Sequence, residues 1–170
     1  MGVTSGWVGS SAKSETGEQW MGAAGTKLGL GKPFMMSQMV GRSMGCKIAT
    51  VYYKGNPPDK VENWGAVGSD WPLAEKNKGT ITGASNCGLG RLVGIVLTQA
   101  HFITGVPPTA ALYIAGGRAS NITVTVGGVS QVFTYNSVIN DLHYYWQGTP
   151  GSAFIVAMKK TGVTQDLKIS

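Results

Sequence analysis

NITVTVGGVSQVFTY, residues 121–135, decides the fold. Ile122, Val124 and Val126 share one face of an extended chain, and Thr123 and Thr125 take the other. Gly127-Gly128 supplies the two positive-φ positions that a two-residue hairpin turn requires. The register that follows sets Val126 opposite Val129 and Ile122 opposite Phe133. Turn chemistry and apolar pattern then agree on a hairpin with one buried face.

Outward from the hairpin the same texture continues. Strands are predicted near 91–98, 110–114, 142–146 and 153–160, with another at 47–53 (KIATVYY) that ends in the turn signal GNPPD. Short strands at this spacing predict a mainly β chain whose C-terminal part is a small antiparallel β-sandwich, Ig-like or an open barrel. Residues 60–79, KVENWGAVGSDWPLAEKNKG, read as a long polar loop holding Trp64 and Trp71.

A glycine-rich stretch, SNCGLGRLVGIVLTQAHFITG at 85–105, raises the question of a nucleotide loop. Gly88, Gly90 and Gly94 are spaced one residue too far for a dinucleotide fingerprint, and no helix follows. The residues after Arg91 are aliphatic and β-branched, so the glycines read as a turn that enters a strand.

Composition fits a β-protein that meets partners. Glycine is 26 of 170 residues, about twice the usual share, and charged residues are 13%, about half of it. The formal charge is +6, but the lysines and arginines are dispersed and form no cluster, which argues against specific nucleic-acid binding. Cys46 and Cys87 leave two possibilities open, a bond or two free buried thiols, with the thiols the commoner case. The N-terminus has no signal-peptide pattern, its Met1-Gly2 start lacks the hydroxyl residue of a myristoylation site, and no run is long enough to span a membrane.

Residues 1–45 show little periodicity, yet they carry Trp7, Trp20, Met21, Phe34, Met35, Met36 and Met39. A polar linker would not hold such residues. The segment is expected to be an extended, Gly-rich arm whose apolar side chains anchor it in an assembly, with a helical turn or two in KPFMMSQMVG at 32–41. Ordering an arm costs about 1–2 kcal/mol per residue, and apolar burial at roughly 25 cal/mol per Å² must offset it. The expected organisation is an arm at 1–45, a strand plus long loop at 46–78, and an antiparallel β-domain at 79–170.

Catalytic constellations are missing from the pattern. Asp141 and His143 are two residues apart, but no serine stands in a nucleophile elbow. Cys46, Cys87, His101 and His143 lack metal-ligand spacing. Glu62 and Asp70 carry no mark of a glycosidase pair. The expectation is a protein that is not an enzyme and needs no cofactor or metal.

GTITGASNCGLGRLVGIVL, ALYIAGGRASNITVTVGGVSQVFTY and LHYYWQG, within residues 79–147, resemble a small β-domain of tail and other virion proteins of enterobacterial phages and prophages. The elements that carry the likeness are Gly79-Thr80-Ile81, Leu112-Tyr113-Ile114, residues 121–128 and Tyr144-Tyr145-Trp146. The resemblance implies a virion structural or attachment component and transfers no catalytic residue.

The leading expectation is a bacteriophage virion structural protein of a tail, collar, fibre or capsid surface, made in the host cytoplasm. It would bind copies of itself or other virion proteins through its arm. One alternative is a carbohydrate- or receptor-binding module of a tail, with Trp64, Trp71 and Tyr144 as contacts to a host glycan. Another is a small intracellular regulatory protein.

Overall fold

The hairpin folds as its pattern requires. In the computed structural model, Val126 pairs with Val129 and Ile122 with Phe133 across a turn with positive φ at Gly127 and Gly128. The structure describes residues 2–3, 8–31, 33, 35–39, 45–55, 61–73, 76–100 and 107–170, without the side chain of Met39. The chain divides into two units, Met1–Gly45 and Cys46–Ser170.

The described residues of the first unit are partly helical. Its described residues form helices α1 (Val8–Thr16) and α2 (Met21–Lys27) and a 3-10 turn at Met36–Met39. Small residues explain this. Val3, Ala12, Ala24 and Leu28 make a core of their own, with Val8, Met21 and Leu30 against it. Alanines at the contact let two short helices approach closely, a pattern too sparse to register as periodicity. Thr16 Oγ1 donates to the Ala12 carbonyl, and Lys27 Nζ donates to the Thr16 carbonyl beside its ion pair with Glu18.

The second unit holds ten strands among the described residues. They are β1 (Cys46–Ala49), β2 (Val51–Lys54), β3 (Val61–Val67), β4 (Thr80–Thr82), β5 (Arg91–Ala100), β6 (Thr109–Ala115), β7 (Ile122–Val126), β8 (Val129–Ile139), β9 (Leu142–Gln147) and β10 (Thr164–Ile169). Every pairing is antiparallel, in the order β2-β3-β5-β6-β9-β8-β7-β10-β1-β4. Strands β1 and β2 lie near opposite ends of that order, yet only Thr50 separates them in the chain. The sheet therefore curls back on itself as an open barrel, the second of the two expected forms. Strand β8 bends to serve both halves. Its first part pairs with β7 and its second with β9, with a bulge between Tyr135 and Ser137.

Thr50 and Gly79 make the closure possible. Thr50 is fully buried, and its Oγ1 donates to the Met158 carbonyl at 2.9 Å. Its own carbonyl accepts from Gly162 N at 2.9 Å. At Gly79, a Cβ would sit 2.5 Å from the Ala49 carbonyl oxygen and 2.7 Å from that of Gly65, so only glycine lets the backbones meet. Just before it, Lys78 forms a bridge with Val67 of β3.

Three sequence expectations change. Residues 61–67, read as loop, form β3, which is buried on both faces. Its apolar content is thinned by Glu62, Asn63 and Gly65, so the strand signal is weak. The strand expected at 153–160 is helix α3 (Ser152–Met158). Strand spacing would align Phe154, Val156 and Met158, but the buried set is Phe154, Ala157 and Met158, the i, i+3, i+4 stripe of a helix, and Val156 is exposed. The final strand β10 was not anticipated, because its buried face alternates through a polar residue: Gln165, Leu167, Ile169. Gln165 is accommodated by donating from Nε2 to the Ala157 carbonyl.

Inside the curl, Ile48, Ile95, Leu97, Leu112, Phe133 and Tyr145 pack with Phe154 and Met158 of α3. The two cysteines are bonded, Cys46 to Cys87, with Cα atoms 4.7 Å apart. Pairing is decided by the fold, which brings the start of β1 beside the turn that leads to β5. The glycines of that turn do shape β-structure: Gly88 and Gly90 have positive φ, and β5 starts at Arg91.

Two stability outcomes follow. Thr50→Val removes the donor to the Met158 carbonyl in a buried site and is expected to cost about 1–3 kcal/mol in urea unfolding. Reducing the disulfide reopens a 41-residue separation and is expected to cost about 4 kcal/mol on the loop-entropy estimate, read as a lower denaturation midpoint in reductant.

Candidate functional site

Pairing fixes the faces of β2, β3 and β5. Tyr52 is opposite Trp64, Trp64 opposite Leu97, and Glu62 opposite Gln99. Leu97 is core, so Tyr52, Glu62, Trp64 and Gln99 all belong to the inner face of the curl, beyond the apolar core. Lys159 joins them from the C-terminal end of α3.

These side chains hold one another. The rings of Tyr52 and Trp64 are 5.4 Å apart, tilted by 50°. Lys159 Nζ lies 4.1 Å from the Trp64 ring centroid, a cation–π contact, and donates to Gln99 Oε1 at 2.9 Å. Tyr52 donates its phenol proton to Glu62 Oε1 at 2.9 Å. That bond, to an acceptor it must keep as a phenol, raises the Tyr52 pKa above 10.0. Trp64 is half-buried, and Tyr52 is 43% exposed. An aromatic pair thus stands at the rim with a carboxylate and an ammonium fixed beside it.

The outer face of the same sheet buries a second cluster. Trp71 is 1% exposed and its ring closes on Gly94, where a Cβ would come 2.5 Å from it. It meets Tyr113 edge-on at 4.9 Å, and Tyr113 stacks on Tyr144 at 4.8 Å and 17°. The salt bridge from Arg91 to Asp70 at 2.8 Å ties the turn bearing Trp71 to β5 and holds the Asp70 carboxyl below its usual range. Sequence reasoning therefore grouped three residues that the fold separates. Trp64 faces inward, Trp71 is a packing residue on the other face, and half-buried Tyr144 stacks beneath that packing. Trp146, two residues after Tyr144, is an exposed aromatic of the outer face. Tyr52, Glu62, Gln99 and Lys159 were missed. The alternation of Glu62, Trp64 and Ala66 was the available signal.

His143 and Asp141 do not form a pair that could do chemistry. Asp141 sits in the β8–β9 turn with φ 62°, exposed, while the Nδ1 of His143 is buried without a hydrogen-bond partner.

In the first unit, Trp20, Met35 and Met36 are exposed, Trp20 by 77%. Met21 is instead packed against the small core. Trp7 and Phe34 lie outside the described residues, as does the side chain of Met39. A 45-residue unit with an exposed Trp and two exposed Met presents large apolar side chains at its surface.

Residues 1–40 match the family model of the phage tail fibre adhesin Gp38 N-terminal domain. The matched segment is the one that carries these exposed residues. It supports a phage tail-related protein, and it lies outside residues 79–147, on which the sequence expectation rested. No solved structure matches the chain.

Two measurements test the geometry. Trp71→Ala is expected to destabilise the β-domain by about 3–5 kcal/mol, as loss of a buried aromatic does, in chemical denaturation. In Glu62→Gln, the Tyr52 phenol should ionise nearer the ordinary 10.0, seen as a lower midpoint in the ultraviolet difference titration against Tyr52→Phe.

Proposed function

We propose that the protein is a phage tail component that docks on the virion through residues 1–45 and exposes its β-domain to the host surface. The observation that carries the reading is the overlap of two features in one segment: the match to the Gp38 N-terminal domain model and the exposed Trp20, Met35 and Met36. Large apolar side chains on a small helical unit gain by burial against a partner, at about 25 cal/mol per Å² of surface removed from water. Other virion proteins are the partners this reading assigns. It assigns no catalytic step, cofactor, nucleic acid or membrane insertion, and its site of action is the virion.

The test uses the full chain. Particles assembled without it are mixed with the purified protein and sedimented. The wild type is expected to co-sediment, and Trp20→Asp combined with Met35→Asp to lose at least tenfold of that binding while circular dichroism of the β-domain is unchanged. Undiminished co-sedimentation of the variant would remove residues 1–45 as the docking element.

A further inference from the structure

We infer that the rim formed by Tyr52, Glu62, Trp64, Gln99 and Lys159 is a carbohydrate subsite that takes one pyranose unit of a bacterial surface polysaccharide. The inference rests on the host-facing role proposed for the β-domain and adds the site and the ligand class.

Four elements, β2, β3, β5 and α3, send these residues to one place. Lys159 is over the Trp64 ring, so the ring that remains most open is Tyr52, which is 43% exposed. A flat, exposed ring offers the C–H face of a sugar a stacking surface. The groups beside it are those that hydroxyls need. Glu62 is a carboxylate that accepts, Lys159 an ammonium that donates, and Gln99 an amide that does both.

Glu62 and Lys159 are positioned before any ligand arrives. The phenol of Tyr52 holds Glu62, and Gln99 with the Trp64 ring holds Lys159. Long side chains that are already ordered lose less freedom on binding, which favours a weak, polar ligand. Charge also selects. Lys54 stands opposite Glu62 in the register, so the described face carries one carboxylate and two ammonium groups and suits a hydroxyl-rich ring, neutral or with one acidic substituent. A nucleic-acid strand would meet Glu62, and Lys54 with Lys159 do not make the basic track that phosphates require.

The experiment uses the full chain on an array of purified bacterial lipopolysaccharides and capsular polysaccharides, with binding to cells of a strain that the phage infects measured in parallel. The wild type is expected to bind at least one array glycan. Tyr52→Ala and Lys159→Met should each weaken that binding tenfold or more, Tyr52→Phe should weaken it less, and Trp146→Ala on the outer face should leave it unchanged. Circular dichroism confirms that each variant is folded. Glycan binding that survives Tyr52→Ala and Lys159→Met overturns the subsite. So does a wild type that coats cells yet binds no glycan, in which case the receptor is a protein and the host-facing role stands. A wild type that binds neither cells nor glycans overturns both.

Discussion

One buried threonine holds the two ends of a sheet together. Residues 46–54 form a single extended run that must pair with β10 and β4 before Thr50 and with β3 after it. An ordinary strand keeps the same neighbours along its length. This one changes neighbours at its midpoint, and the backbone there needs partners outside the ladder. Thr50 finds them in the chain that follows α3, through Met158 and Gly162. The helix is thereby fixed against the core, and the curl is fixed by the helix. Gly79 completes the corner by letting the Ala49 and Gly65 backbones meet it without a side chain in between.

The rim depends on that corner. Tyr52 comes two residues after Thr50, and Lys159 comes one residue after Met158. Hydrogen bonding between Thr50 and Met158 therefore sets the spacing of the aromatic pair and the ammonium. Glu62 and Lys159 are each held by a neighbour from another element, so the arrangement is a product of the fold and of no single segment.

Much of the fold was legible where local pattern and tertiary burial coincide. The 121–135 hairpin reads directly, because one face is buried and the turn demands Gly-Gly. Strand β5 reads from its aliphatic run. Legibility fails where a second layer intervenes. Strand β3 is covered on one side by the core and on the other by neighbours of Trp71, so buried residues fall on both faces and the alternation of Glu62, Trp64 and Ala66 is obscured. Strand β10 hides behind a buried glutamine that only a nearby carbonyl makes acceptable. Helix α3 contains strand-forming residues, and only the position of Ala157 against the core decides its period. The candidate site was harder still. A tryptophan in sequence carries no mark of which face it will take, so Trp64 and Trp71 looked alike. Tyr52 and Lys159 are 107 residues apart, and only the corner brings them together.

The disulfide stands at the first residue of the β-domain, where the chain arrives from residues 1–45. In the role proposed above, with residues 1–45 on the particle and the β-domain on the host surface, tension would run along the backbone. Any pull arriving from the N-terminal side enters the β-domain at Cys46. There it meets a covalent bond to Cys87, whose carbonyl accepts from Ile169 N, and a strand flanked by β10 and β4. Peeling β1 out of the sheet would leave its first residue still bonded to the turn ahead of β5. The load is thus shared at its point of entry between a covalent link and two hydrogen-bonded ladders, and the corner at Thr50 lies behind that anchor, shielded from the pull.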